Sequence, residues 1–296
     1  MLNEYEYEYI NKDDIDIYKG NFFNSNKSKN VKKVIVFDLD ETLGSFADVD
    51  ILWNTIKDIL RDNNIISFYH LLELFPEFLR KGIKKILNFV YKKKKSGECY
   101  KLYIYTNNQS QTLFVSNIID YFTKKIATNN DILFDQIIYA FKINNQIIQI
   151  GRTTHKKTHN DLINCTLLPK KTAICFIDDY EFDEMKKERI YYIQPTAYQH
   201  GLSTYDIIKR LFNSTLGILL NDYKSIITDQ YITRCMKHNI FKPNNERTFE
   251  LIEYHENISK KIMYHLKDFF ILTKKKCKTH KLKKTSNSFT RKNKIN

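Results

Sequence analysis

The chain has 296 residues, 42% of them hydrophobic, and a formal net charge of +14. That length can bury a full-sized core and leaves room for an enzyme. No apolar run approaches the ~20 residues of a membrane span, and the acidic opening MLNEYEYEYI is unlike a signal peptide. The five cysteines are scattered and form no C-x-x-C pair, which argues against a disulfide framework or a structural zinc site and for a soluble protein of a reducing intracellular compartment, cytoplasmic or nuclear.

In chain order, residues 1–30 end in the polar, turn-forming NSNKSKN and read as an N-terminal extension, with the folded body beginning near Val31. VKKVIVF then reads as a buried strand ending at Asp38. Residues 51–75 repeat Leu52, Ile56 and Ile59 on one helical face and read as a small helical insertion, with Trp53 expected in the core. Ile83, Ile86, Leu87 and Val90 mark a helix closed by lysines and Gly97. YKLYIY is a second strand, ending at Thr106, followed by a helix carrying Phe114, Ile118 and Tyr121. IIYAFKI and QIIQIGR flank Asn144 and Asn145 and read as a β-hairpin with a two-residue turn. A helix from near Thr158 carries Leu162 and Ile163, and TAICFI is a third strand, ending at Asp178. Ser203 and Asp206 form a capping box for a helix through Phe212, which closes a domain of residues 31–214. Leu251, Ile258, Ile262, Leu266 and Phe269 follow helical spacing, so residues 215–273 read as a helical appendage.

The final stretch explains the charge. Residues 274–296 hold ten Lys or Arg and no acid, which leaves 38 basic and 34 acidic side chains in residues 1–273. Such a tail reads as a solvated terminus, a nuclear address or a weak contact to a nucleic-acid backbone. Strands alternating with helices predict an α/β fold whose parallel sheet is covered on both faces. Ligands of such sheets bind beyond the carboxyl ends of the strands, where Asp38, Thr106 and Asp178 all fall.

The crowding of Asp38, Asp40 and Glu41 in DLDET is unfavourable unless a cation, a hydrogen-bond network or a chemical task holds it. Taken singly, these residues have plainer readings: Asp as a helix cap, Thr106 as a turn hydroxyl, Lys157 as surface. His155 and His159 have an i, i+4 spacing that suits a metal, but lack a third ligand and read as solvent-facing.

Taken together, DLDET, YTNN, HKKT and FIDD resemble, in that order, the four motifs of the haloacid dehalogenase (HAD) superfamily of phosphohydrolases, across residues 31–195. The resemblance implies a Rossmann-like HAD fold and an aspartyl-phosphate formed on Asp38. Asp40 would be the acid and base, and Thr106 and Asn107 would bind the phosphoryl group. Lys157, with Lys156 as a rival, would neutralise charge on the nucleophile and phosphate. Mg²⁺ would be held by Asp38, the Asp40 carbonyl, Asp178 and Asp179, with Glu41 pointing away.

DLDETL is the form typical of the branch containing the RNA polymerase II carboxy-terminal-domain phosphatases and their nuclear LIM interactor-interacting relatives. PEFLRKGIKKIL resembles the R-P-G helix of that branch, with Lys81 where Pro would stand, and the whole run is similar to HAD-type hydrolases of large nucleocytoplasmic DNA viruses. Two features depart from the branch. Lys157 lies 21 positions before Asp178, a longer gap than usual, and the 51–75 insertion is large enough to act as a lid. The expected activity is a Mg²⁺-dependent phosphomonoesterase acting on phosphoserine or phosphothreonine in a protein. The alternatives are a nucleotide or polynucleotide phosphatase, and a non-catalytic HAD scaffold that recruits partners through its helical appendage and tail.

Overall fold

The run VIVF is apolar at every position, and strands of that kind lie in the middle of a sheet covered on both sides. In the computed structural model, which describes residues 8–12, 14–24, 31–61, 65–245 and 248–273, that strand is central. The elements in chain order begin with β1 (Glu8–Lys12), β2 (Ile15–Lys19), β3 (Lys33–Phe37), α1 (Ala47–Leu60), α2 (Phe68–Leu74), α3 (Ile83–Lys95), β4 (Lys101–Tyr105) and α4 (Thr112–Ile126). They continue with β5 (Gln136–Ile138), β6 (Lys142–Ile143), β7 (Gln146–Ile147), α5 (His159–Thr166), β8 (Ala173–Ile177) and β9 (Ile190–Pro195). Four helices follow, α6 (Thr204–Phe212), α7 (Thr215–Leu219), α8 (Lys224–Lys237) and α9 (Thr248–Leu272).

The main sheet has seven strands in the order β1-β2-β9-β8-β3-β4-β5. Neighbours from β9 to β5 are parallel, whereas β2 pairs antiparallel with β9 and β1 antiparallel with β2. The fold is therefore α/β and Rossmann-like, but its sheet is mixed and not wholly parallel. Successive residues of β3 serve different layers. Ile35 and Phe37 pack with α1 to α4, α8 and α9, while Val34 and Val36 pack with Leu162 of α5, Phe182 and Met185. From β3 the chain steps outward to β4 and β5, then crosses to β8 on the other side. That reversal between β3 and β8 opens a crevice at their carboxyl ends.

Several sequence expectations change. The folded body does not begin near Val31, because β1 and β2 extend the sheet and Ile15, Ile17 and Phe23 are buried in the core. The alternation in IDIY is too short to stand out beside polar neighbours, yet it covers β9, which would otherwise be an open edge. Residues 215–273 are helical but do not stand apart. Ile227, Tyr231 and Cys235 of α8 are buried against α1, and Ile258, Ile262, Leu266 and Phe269 of α9 against β9, β2 and α3. IIYAFKI is divided: Ile137 and Ile138 pair with β4, and only Lys142–Ile143 enters the hairpin. Its turn is as expected, with Asn144 and Asn145 at φ 49° and 63°. The insertion starts earlier, at Ala47, and forms two helices whose Trp53 is half-buried, ring to ring with Phe68 at 5.4 Å.

Cys99, Cys165, Cys175 and Cys235 are free. Among the described residues no helix is long and apolar enough to cross a membrane. The basic tail 274–296 lies outside the described residues.

Candidate active site

Two neighbouring parallel strands deliver the residues that follow them to one place. After β3 the Asp38 N–H donates to the Ile177 carbonyl at 2.8 Å, and after β8 the Asp178 N–H donates to Ile193 at 3.2 Å. Sheet pairing thus continues one residue into each motif and sets both carboxylates at the β3–β8 switch point. The carboxylate oxygens of Asp38, Asp178 and Asp179 lie within 4.8 Å of one another. Lys157 Nζ reaches between two of them, donating to Asp38 Oδ1 and, at 2.6 Å, to Asp178 Oδ2. Lys156 is exposed and lies 3.8 Å from Glu184, so of the adjacent pair it is Lys157 that meets the acids. The local sequence explains why. Thr158 caps α5 by accepting the Asp161 N–H at 3.0 Å, so the helix starts just after it and Lys157 stays on the loop that leads in, its side chain buried against the acids.

The electrostatics follow from crowding. Burial, then repulsion from Asp38, pushes the Asp40 carboxyl up to about 7, although Asn108 Nδ2 donates to its Oδ2 at 2.9 Å. Burial and Asp38 raise Asp179 to about 6 against the Thr42 hydroxyl, which donates to Asp179 Oδ1 at 2.7 Å. Asp178 is raised by burial in spite of Lys157. The Lys157 ammonium loses solvation too, but Asp178 and Asp38 outweigh that and hold its pKa above the ordinary lysine value. One ammonium does not neutralise this many carboxylates, so the cluster gains by taking up protons or a cation. Three convergent carboxylates are hard oxygen donors of the kind divalent cations prefer, and this triad can hold a metal ion.

The remaining expected residues take distinct places. The Asp40 side chain stands outside the triad, and its carbonyl accepts the Thr42 N–H at 2.6 Å. Glu41, expected to point away, lines the cleft at φ 54°, and burial, then Asp40 and Asp179, push it up to about 8. Thr106 is fully buried, its hydroxyl accepting the Asn108 N–H at 2.9 Å, while Asn107 and Asn108 line the cleft above it. His155 is exposed at the rim, and His159 is half-buried, its pKa lowered by burial and Lys187. Neither histidine belongs to a potential metal cluster among the described residues.

Four further side chains support the site, two of them inside the DLDET and YTNN stretches. Asn108 holds Asp40 and Thr42 holds Asp179, as above. Arg80 is almost fully buried and donates to the carbonyls of Thr42 at 2.6 Å, Thr196 at 2.8 Å and Glu41, clamping the DLDET turn from behind. Arg152 spans two motifs, donating to the carbonyls of Thr106 at 3.1 Å and Lys156 at 3.2 Å and to Asn107 Oδ1 at 2.7 Å. Gly44 lets the same turn pass Phe78, whose carbonyl would lie 2.4 Å from an added Cβ.

The cleft over these residues has a volume of about 910 Å³. One wall is α1, through Asp50, Ile51 and Asn54, and beside it stand Arg234, His238 and Ile240 in and beyond α8. A buried hydrogen-bonded group joins these helices: Asp48 of α1 meets His200 Nε2 at 2.8 Å and accepts from the Tyr231 hydroxyl of α8 at 3.2 Å. The helical insertion therefore lines the cleft through α1, together with α8. No protein-family model matches this chain, and no curated protein or solved structure matches it either.

Proposed function

We propose that the chain is a Mg²⁺-dependent phosphomonoesterase of the HAD type, working through an aspartyl-phosphate on Asp38. The observation that carries this reading is the convergence of Asp38, Asp178 and Lys157 at the switch point, with Asp40 close by and protonated up to about pH 7. The Asp38 carboxylate attacks phosphorus as the ester P–O bond breaks, and Asp40 gives its proton to the leaving oxygen. The Asp40 carboxylate then takes a proton from water, which attacks the aspartyl-phosphate and returns Asp38 and free phosphate. Lys157 stays charged throughout and offsets the negative charge of nucleophile and phosphoryl oxygens. Asp38, Asp178 and Asp179 would hold Mg²⁺, which when bound supplies the further positive charge that two anions need to meet.

As substrate, the proposal takes phosphoserine or phosphothreonine in a protein, for which a cleft of about 910 Å³ leaves room beyond the phosphoryl group. The test is turnover of a generic aryl phosphate with Mg²⁺ by the wild type and Asp38→Asn. A loss of at least ~10³-fold with unchanged circular dichroism is expected. Undiminished turnover by the variant contradicts the assignment.

A further inference from the structure

Away from the cleft, α3 and α9 run side by side. They are seamed by the Ser259 hydroxyl, which donates to the Lys81 carbonyl, and by Phe89 against Phe270, with ring centroids 5.9 Å apart. Beside that seam lies a groove of about 460 Å³. Lys81 and Lys85 line one side, and Lys260, Tyr264 and Lys267 the other. On α9 these three follow i, i+4, i+7 spacing, which sets them on one face over roughly 10 Å. All four lysines are exposed, and among the described residues none has a carboxylate partner. This contrasts with the end of α3, where Lys93, Lys94 and Lys95 are paired with Glu98, Asp135 and Asp131. Tyr264 is 66% exposed, a large aromatic ring left in water amid positive charge. Glu256 marks the other end of the groove, so the positive side faces the end of α9 from which the basic sequence 274–296 departs.

We propose that this groove binds the backbone of a single-stranded nucleic acid. Lysines without carboxylate partners following a groove supply the phosphate contacts, Lys260 being held only by the neutral Asn257 side chain at 3.2 Å, and an exposed ring among them supplies a platform on which a base stacks; single-strand binders combine these two elements. An anionic lipid surface or an acidic peptide would engage the lysines, whereas a nucleic-acid strand engages them and also offers bases whose faces stack on the exposed Tyr264 ring. The proposal is independent of the phosphatase reading, since none of the groove residues touches the acid cluster.

The test is fluorescence anisotropy of the full chain with a labelled single-stranded oligonucleotide over a salt series, beside Lys85→Gln/Lys260→Gln/Lys267→Gln and Tyr264→Ser. The triple variant is expected to bind about tenfold or more weakly at 0.1 M salt and to lower the slope of log K against log salt by about 2, as the loss of three phosphate contacts requires. Tyr264→Ser is expected to weaken binding severalfold with the slope unchanged. Both variants should retain wild-type circular dichroism, because the substituted side chains are exposed. Wild-type affinity and slope in the triple variant overturn the proposal. So does stronger binding of the wild type to anionic vesicles or to an acidic phosphopeptide than to the oligonucleotide.

Discussion

Arg80 and Arg152 show how much of the site lies one step behind the acids. Each is a buried guanidinium whose donors are aimed at backbone carbonyls of loops that carry the motifs. Arg152→Met would leave the carbonyls of Thr106, Tyr139 and Lys156 without that donor. A stability loss of about 3 kcal/mol is expected in urea unfolding. Because Asn107 and the Lys157 loop also lose their common anchor, kcat on an aryl phosphate should fall by ~10²-fold. Arg152→Lys should restore neither, since one ammonium cannot span five acceptors. The acids make a second prediction. Asp40, Glu41 and Asp179 have folded pKa values raised to about 7, 8 and 6. Folding thus favours their protonated forms. Their stabilising share is fully present below the ordinary carboxyl range near pH 4 and is lost as pH rises through about 6 to 8. The metal-free protein should therefore melt at falling temperature from pH 5 to 8.5, and Mg²⁺ should raise the midpoint more at pH 8 than at pH 5; equal shifts at both would contradict metal binding at these acids. At this scale the sequence made Asp38, Asp40, Lys157, Asp178 and Asp179 legible, because each sits at a strand end or helix start that local pattern reveals. The parts played by Arg80, Arg152 and Asn108 were not legible, although Asn108 lies in YTNN and Arg80 in PEFLRKGIKKIL, because Thr42 and Thr196 for Arg80, Thr106 for Arg152 and Asp40 for Asn108 lie 38 to 116 positions away.

At the scale of elements, strands with long apolar runs and helices with a clear periodic face were readable, and short pieces were not. β2 has five residues, and its meaning comes only from β9, about 175 positions later in the chain. IIYAFKI carried a correct turn signal in Asn144–Asn145, but nothing in it says that its first half pairs with β4. The β1–β2 unit makes a direct prediction. Deleting residues 1–24 removes the buried Ile15, Ile17 and Phe23 and uncovers β9. At ~1.5–3 kcal/mol for each buried side chain, the loss is about 5 kcal/mol or more, comparable to the whole stability of many domains. A chain beginning at Ser25 should be insoluble or melt far below the full chain. A truncated chain of unchanged melting temperature would show that these strands only decorate the sheet.

At the scale of the molecule, the sheet gathers motifs that are 140 residues apart in sequence, from Asp38 to Asp178, and one core holds both Ile15 of β2 and Phe270 of α9. The order β9-β8-β3-β4-β5 creates the switch point, and α9 and β2 brace it from the side. The cleft wall likewise depends on α8 being held to α1 through Asp48, His200 and Tyr231. That assembly was illegible because helical spacing reveals which face is apolar but not which partner covers it. The proposed phosphatase turns on whether the carboxylate at the centre of this arrangement becomes phosphorylated. The most direct measurement is a rapid acid quench of the enzyme during turnover of a phosphomonoester with Mg²⁺, followed by peptide mass mapping. A phosphoryl adduct on the peptide containing Asp38, absent from Asp38→Asn and accumulating in a variant of Asp40 that cannot deprotonate water, is the predicted result. Turnover without any adduct there, or an adduct on another residue that survives in Asp38→Asn, would contradict it.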